Sequence, residues 1–270
     1  PTITASNNGP ICTGSALNLT ATPSPAVPQA GNYTYAWTGP NGWTSNVQNP
    51  TIPNPTTAAS GTYTVTINSN CGSASATTQV VVNQTPTAAI TNNTGTTIID
   101  CNAPTINVTA TGGGTYSWNN GLGNNDVASI TTAGTFTVTV TSPQGCTNTA
   151  SITTTVAPTP TISINPATIC TGQSTTLTAT TSPAGGNVLW NTGQTTASIT
   201  VNPMQTTTYS ATYTWNGCSA SDSAVVTVNP TPTVSVNSDT ICNGDTTILT
   251  ATPDLPGGTF LWSNNQTTQS

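Results

Sequence analysis

Apolar and hydroxyl-bearing residues alternate along most of this chain. In Gly61-Thr-Tyr-Thr-Val-Thr-Ile67, Tyr63, Val65 and Ile67 fall on one side of an extended segment and the threonines on the other. Gly134–Val140 (G-T-F-T-V-T-V) repeats the pattern. Ala16–Thr22, Tyr33–Trp37, Gln79–Asn83 and Thr105–Thr111 read as further strands, and Tyr116-Ser-Trp118 as a shorter counterpart of the Trp37 strand. Gly39-Pro-Asn-Gly42 and Pro143-Gln-Gly145 mark turns. A Pro-rich connection, Pro23–Pro28, follows the Ala16 strand, and Pro50, Pro53 and Pro55 break the stretch before Gly61.

A longer period lies over the short one. Thr159–Thr180 (T-P-T-I-S-I-N-P-A-T-I-C-T-G-Q-S-T-T-L-T-A-T) returns almost letter for letter at Thr231–Thr252, and more loosely at Pro1–Thr22 and Thr85–Thr111. Four copies make a tandem array, with repeats at 1–84, 85–157, 158–229 and 230–270. Each complete repeat holds about seven short strands, a tryptophan on the third, and turns every roughly 8–12 residues. That pattern predicts an all-β fold of tandem immunoglobulin-like β-sandwiches. Trp37, Trp118, Trp190 and Trp262 recur in register and are expected in the cores. Tyr63 and Tyr209 stand where a tyrosine corner forms, whereas Phe136 lacks the hydroxyl. The linkers Asn83-Gln-Thr-Pro-Thr, Val156-Ala-Pro-Thr-Pro-Thr and Val228-Asn-Pro-Thr-Pro-Thr are short and stiffened by proline, which predicts a semi-rigid rod with ~35 Å per domain. Ser270 aligns with Ser198, so repeat four lacks the counterpart of its last three strands. It is expected to be completed by chain beyond Ser270 rather than by strands donated from another molecule.

Composition removes several functions. Of 270 residues, 2% are charged, with no Lys, Arg or His, and the six acidic residues are all Asp. Soluble proteins carry about a quarter charged residues, so Thr, Ser, Asn and Gln must solvate the surface here. Without cations there is no phosphate neutralisation, which excludes nucleic-acid partners. Without His the usual acid–base catalyst at neutral pH is absent. No apolar run approaches the ~20 residues of a membrane span. The carboxylates Asp100, Asp126, Asp222, Asp239, Asp245 and Asp254 are scattered and show no paired glycosidase spacing or dense calcium loop. Neither enzyme activity, a metal nor a cofactor is expected. A trypsin-like protease finds no cleavage site.

Seven cysteines at regular positions point to disulfides and an oxidising, extracellular setting. Two pairings are open. Within repeats they are Cys12–Cys71, Cys101–Cys146 and Cys170–Cys218, with Cys242 unpartnered; each ~50-residue loop would then add roughly 4 kcal/mol in the chain-entropy model. However, the first turn and the sixth-to-seventh strand turn of such a sandwich lie at opposite ends, ~30 Å apart, beyond the ~7 Å that a disulfide spans. Pairing to the next repeat gives Cys12–Cys146 and Cys101–Cys218. Zinc fits poorly, with no CxxC and no His. Trp43 and Trp215 occur once each beside turns; they are candidate exposed aromatics for packing on a neighbouring repeat or stacking on a sugar.

The strings I-C-x-G, L-x-L/T-A-T, W followed by Q-T-T-x-S, and G-C-S-A-S-D-S-A-V-V-T-V-N-P-T-P together resemble the tandem immunoglobulin-like repeats of Bacteroidota surface proteins. Trp37–Ser45 with Gln48–Ile52 resembles the PKD-like variant. The resemblance implies very large adhesins exported by the type IX secretion system and associated with gliding motility. It also implies O-glycosylation at Asp-Ser/Thr followed by a small or apolar residue, which Ser223, Thr240 and Thr246 satisfy. The expected function is a structural stalk or filament segment of a secreted adhesin at the cell surface, projecting a distal binding region. Its partners would be neighbouring repeats and surface polysaccharides. The alternatives are a non-catalytic spacer or carbohydrate-binding region of a glycan-degrading enzyme, and a subunit of a polymerising filament.

Overall fold

The computed structural model describes residues 1–26 and 32–270. The end of the Pro23–Pro28 connection lies outside the described residues. The chain forms two compact units, Pro1–Ala157 and Pro158–Ser270.

The first unit contains two sandwiches. In the first, the strands are β1 (Thr2–Asn7), β2 (Ile11–Cys12), β3 (Leu17–Ser24), β4 (Thr34–Thr38), β5 (Thr44–Ser45), β6 (Thr51–Ile52), β7 (Gly61–Ser69), β8 (Gly72–Val80) and β9 (Val82–Asn83). They form sheets β1-β3-β6 and β5-β4-β7-β8, with β2 paired in parallel to β9. The second holds β10 (Ala89–Asn92), β11 (Ile98–Ile99), β12 (Ile106–Thr111), β13 (Thr115–Trp118), β14 (Val127–Ile130), β15 (Gly134–Thr141) and β16 (Thr147–Val156), ordered β10-β12-β14 and β11-β16-β15-β13. The second unit repeats this order with β17 (Thr161–Ile164), β18 (Ala167–Cys170), β19 (Thr175–Ser182), β20 (Asn187–Trp190), β21 (Ser198–Val201), β22 (Thr207–Trp215) and β23 (Cys218–Asn229). After it come only β24 (Val234–Val236) and β25 (Ala251–Pro253), an antiparallel pair. A three-stranded sheet facing a four-stranded one, with crossing connections, is the immunoglobulin-like sandwich. The Pro50–Pro55 stretch contains a short strand that its prolines conceal: β6 pairs with Leu17 and Asn18 at a sheet edge, where a missing N–H is tolerated.

Alternation decides which residues become core. Tyr63, Val65 and Ile67 are buried on β7, as are Phe136, Val138 and Val140 on β15. Trp37, Trp118 and Trp190 are buried, and each indole N–H reaches a backbone carbonyl in the loop beyond its strand: Gln48 (3.1 Å), Asn125 (2.9 Å) and Thr196 (2.9 Å). Burial of the ring therefore leaves no unsatisfied donor. On the outer faces hydroxyls pair across strands, including Thr66–Ser75, Thr137–Ser151, Thr178–Ser198 and Thr212–Ser221 at 2.8–2.9 Å. They take the place of the charged cross-strand pairs that this chain cannot make.

The tyrosine corner forms once as expected and is replaced twice. Tyr63 donates to Ala59 O, four residues upstream, at 3.0 Å. In the second sandwich Phe136 cannot, and the buried Thr154 hydroxyl takes the equivalent carbonyl, Thr132 O, at 2.8 Å. In the third, the Thr207 hydroxyl takes Gln205 O at 2.6 Å, and Tyr209 only packs against the core. The buried phenol there is Tyr213, which donates to Pro183 O and accepts from Gly186 N at 2.9 Å. A Cβ on Gly186 would fall 2.6 Å from the Tyr213 ring, so the loop can cross the ring only as glycine.

Tyr213→Phe keeps the ring but strands Gly186 N–H and Pro183 C=O. It should destabilise the third sandwich by about 1–3 kcal/mol, read by hydrogen exchange of the β22 amides, with little change in the first sandwich.

Candidate functional site

Three short segments, Ile11–Cys12, Ile98–Ile99 and Ala167–Cys170, run parallel to the last strand of their own sandwich. Cys12 pairs with Asn83, and Cys170 with Asn229. The first-turn cysteine is thereby held beside the exit of the final strand. The other cysteine of each repeat lies at the opposite end. Cys71 is in the β7–β8 turn, where Ser69 faces Gly72. Cys218 opens β23 opposite Trp215, after an Asn216-Gly217 turn with positive φ at both residues. Strand β23 is 12 residues long, so its ends are separated by ~40 Å.

Pairing within a repeat is therefore overturned. Cys12 is bonded to Cys146, with a Cα–Cα distance of 5.7 Å and a sequence separation of 134. Cys101 and Cys218 are also disulfide-bonded. Cys71, Cys170 and Cys242 are free thiols on the surface, which excludes Cys12–Cys71, Cys101–Cys146 and Cys170–Cys218. The sulfur at 146 is buried, on a hairpin loop longer than that around Cys71 or Cys218: Ser142 N–H donates to Cys146 O (2.8 Å) and Gly145 N–H to Ser142 O (2.9 Å).

Around this bond the linker is clamped. Thr13 N–H donates to Asn83 O at 2.8 Å; Thr85 donates its N–H to Thr13 Oγ1 (3.0 Å) and its hydroxyl to Thr13 O (2.8 Å). Asn148 Nδ2 donates to Pro86 O at 2.9 Å. The disulfide and four hydrogen bonds thus join two consecutive sandwiches over a five-residue linker. Sequence reasoning found the cysteine and missed the threonines. Their signal was present, since a Thr follows both Cys12 and Cys170 and a Thr opens each T-P-T.

The remaining candidates are not gathered into a site. Trp43 is half-buried, not exposed, and packs edge-on against Tyr63 of its own sandwich, with ring centroids 5.4 Å apart. Trp215 is likewise half-buried against the third core. Four of the carboxylates, Asp100, Asp222, Asp239 and Asp254, accept backbone hydrogen bonds. Asp100 takes the N–H groups of Asn102 and Ala103, and Asp222 takes Ile164 N at 2.8 Å, linking the two sheets of its sandwich. The Thr247 hydroxyl and Thr240 N–H hold the Asp239 carboxyl below the usual range, and the Thr233 N–H and hydroxyl do the same for Asp254. Ser223, Thr240 and Thr246 are exposed. Among the described residues no cluster of three His, Cys, Asp or Glu side chains could hold a metal ion, and no helix is long and apolar enough to cross a membrane.

No protein-family model and no curated protein matches this chain. Among solved structures it is similar to an I-band fragment from titin (12% identity, TM-score 0.41, covering 83% of this chain and 98% of that one). It is also similar to the three N-terminal domains of the bacteriophage RB49 Highly Immunogenic Outer Capsid protein (16%, 0.38, 84% and 99%). A third such structure is extracellular domains 3–5 of Drosophila OTK (13%, 0.31, 81% and 93%).

Alkylation of the unfolded, non-reduced chain should modify Cys71, Cys170 and Cys242 and leave the other four cysteines untouched. Peptic mapping should recover Cys12 linked to Cys146. In Cys146→Ser, Cys12 should become alkylatable and not re-pair with Cys71; a Cys12–Cys71 peptide would contradict the ~30 Å separation of the two ends.

Proposed function

We propose that this chain is a tension-bearing structural segment of a secreted surface adhesin, a stalk that holds a distal binding region away from the cell. The observation that carries the reading is the Cys12–Cys146 bond between consecutive sandwiches. A force applied along the chain passes from Cys12 to Cys146 through sulfur, so the 134-residue span between them cannot be drawn out. In the chain-entropy model a loop of that size adds about 5 kcal/mol to stability.

Several features favour this role over a catalytic one. Four of the six carboxylates serve backbone N–H groups, Trp37, Trp118 and Trp190 serve cores, and disulfides favour an oxidising setting such as the extracellular one. Export by the type IX system and attachment to a gliding Bacteroidota cell rest on the repeat motifs. So do O-glycans at Ser223, Thr240 and Thr246, whose exposure leaves room for a sugar. Glycans there would solubilise a surface with almost no charge. The protein from its native source should then have an intact mass above that of the bare polypeptide, and a mass equal to it would remove the glycans from the proposal.

Single-molecule stretching from the two termini tests the mechanical role. The oxidised chain should release at least about 450 Å less contour than the reduced chain, the length of the residues enclosed between Cys12 and Cys146. Equal contour lengths would sink it.

A further inference from the structure

The three-stranded sheets of the three sandwiches end on edge strands of different kinds. In the first sandwich β6 lies between Pro50 and Pro53, which blunt the edge because proline cannot extend a ladder. In the third, β21 is terminal, and the Thr196 hydroxyl occupies its outward carbonyl, Ser198 O, at 2.6 Å. In the second, β14 is terminal and has neither device. The indole acceptors align these edges: Trp190 donates to Thr196 O and Trp118 to Asn125 O, so Val127 is the counterpart of Ser198. Ala110 N–H donates to Asp126 O at 2.6 Å, so Ala128 and Ile130 turn their backbone groups toward β12. Val127 and Ser129 therefore present N–H and C=O outward, and among the described residues none of these four groups has a partner.

The surroundings of this edge are neutral. Val127 is 55% exposed, and Ser129 and Thr131 are exposed beside it. A shallow groove of about 570 Å³, lined by Asn93, Asn107, Leu122, Val127 and Ser129 among others, carries no charged side chain. Its amides are half committed: Asn93 Nδ2 donates to Thr109 Oγ1, and Ser129 Oγ donates to Asn107 Oδ1, both at 2.8 Å. A strand from an ordinary soluble protein, with about a quarter of its residues charged, would bring charges to a lining that cannot pair them. A strand of this chain would not, because only 2% of its residues are charged.

We propose that the free edge of β14 is an interaction surface for a second copy of this chain, the two β14 strands pairing antiparallel about a twofold axis at Ser129. Ser129 of each copy exchanges N–H···O bonds with Ser129 of the other, and Val127 of one meets Thr131 of the other. The sheet β10-β12-β14 then continues from copy to copy, and each outward backbone group gains the partner it lacks. Val127 and Thr131 are both β-branched, a favourable pair across strands. Asp126 falls opposite Thr132, ~20 Å from Asp126 of the other copy. That distance exceeds the Debye length of about 8 Å, so the two carboxylates are screened from each other. A contact ~14 Å long buries less than the roughly 1,200 Å² of a stable interface, so the pair is transient between isolated chains. Pairing links chains sideways, and stretching a single molecule does not read it.

Sedimentation equilibrium of the full chain, with Cys71, Cys170 and Cys242 alkylated to prevent cross-linking, tests the pairing. The apparent mass should rise from that of a monomer toward twice that value as the chain nears millimolar concentration. Val127→Lys places a charge on the edge, and Ser129→Pro removes the outward N–H at its centre. Both variants should stay monomeric at every concentration while keeping the circular dichroism of the unsubstituted chain. Ser198→Lys, the same change on the capped edge of the third sandwich, should associate as the unsubstituted chain does. An unsubstituted chain that stays monomeric would overturn the proposal. So would association that survives Val127→Lys, or that Ser198→Lys abolishes equally. Should Ser129→Pro disturb the second sandwich, Val127→Lys decides, because the Val127 side chain stands on the surface.

Discussion

The parallel pairing of a two- to four-residue segment with the last strand of the same sandwich is the constraint on which the other features depend. It closes the edge of the four-stranded sheet, Ala167–Cys170 against Val226–Asn229 in the third repeat and Ile98–Ile99 against Thr155–Val156 in the second. It also carries the first-turn cysteine to the point where the chain leaves the domain. An antiparallel edge strand continuing from β1 would leave that cysteine at no fixed place. With the parallel segment, Cys12 sits over the linker, and the cysteine it bonds, Cys146, belongs to the next sandwich.

A second constraint is chemical. A surface with 2% charged residues has no ion pairs to set strand register or to deter association. Register is carried by cross-strand hydroxyl pairs, by indole bonds to loop carbonyls and by carboxylates capping backbone N–H groups. None of these is strong singly, at about 0.5–1.5 kcal/mol net for a neutral hydrogen bond. The covalent link between sandwiches supplies what a modest core and an uncharged surface do not.

The tyrosine corner shows how one structural need is met by different residues. In all three sandwiches a carbonyl ahead of the sixth strand receives a hydroxyl. The donor is Tyr63 from four residues on, Thr154 from the adjacent strand, or Thr207 from within the same turn. The aromatic at the start of that strand is therefore a poor guide to the bond. Tyr213, further along its strand, makes a loop contact through Gly186 instead.

Period-two alternation and the recurrence of Trp, Gly and Cys determined the strands, the cores and the sandwich class, because burial on one face of a strand is a local property of the sequence. The same alternation could not show a two-residue strand between prolines, or that Trp43 folds back on Tyr63, since both depend on neighbours distant in the chain. Cysteine spacing left two pairings open. Only the tertiary structure decided between them, because the direction of one short segment determines at which end of a ~40 Å strand the first sulfur lies.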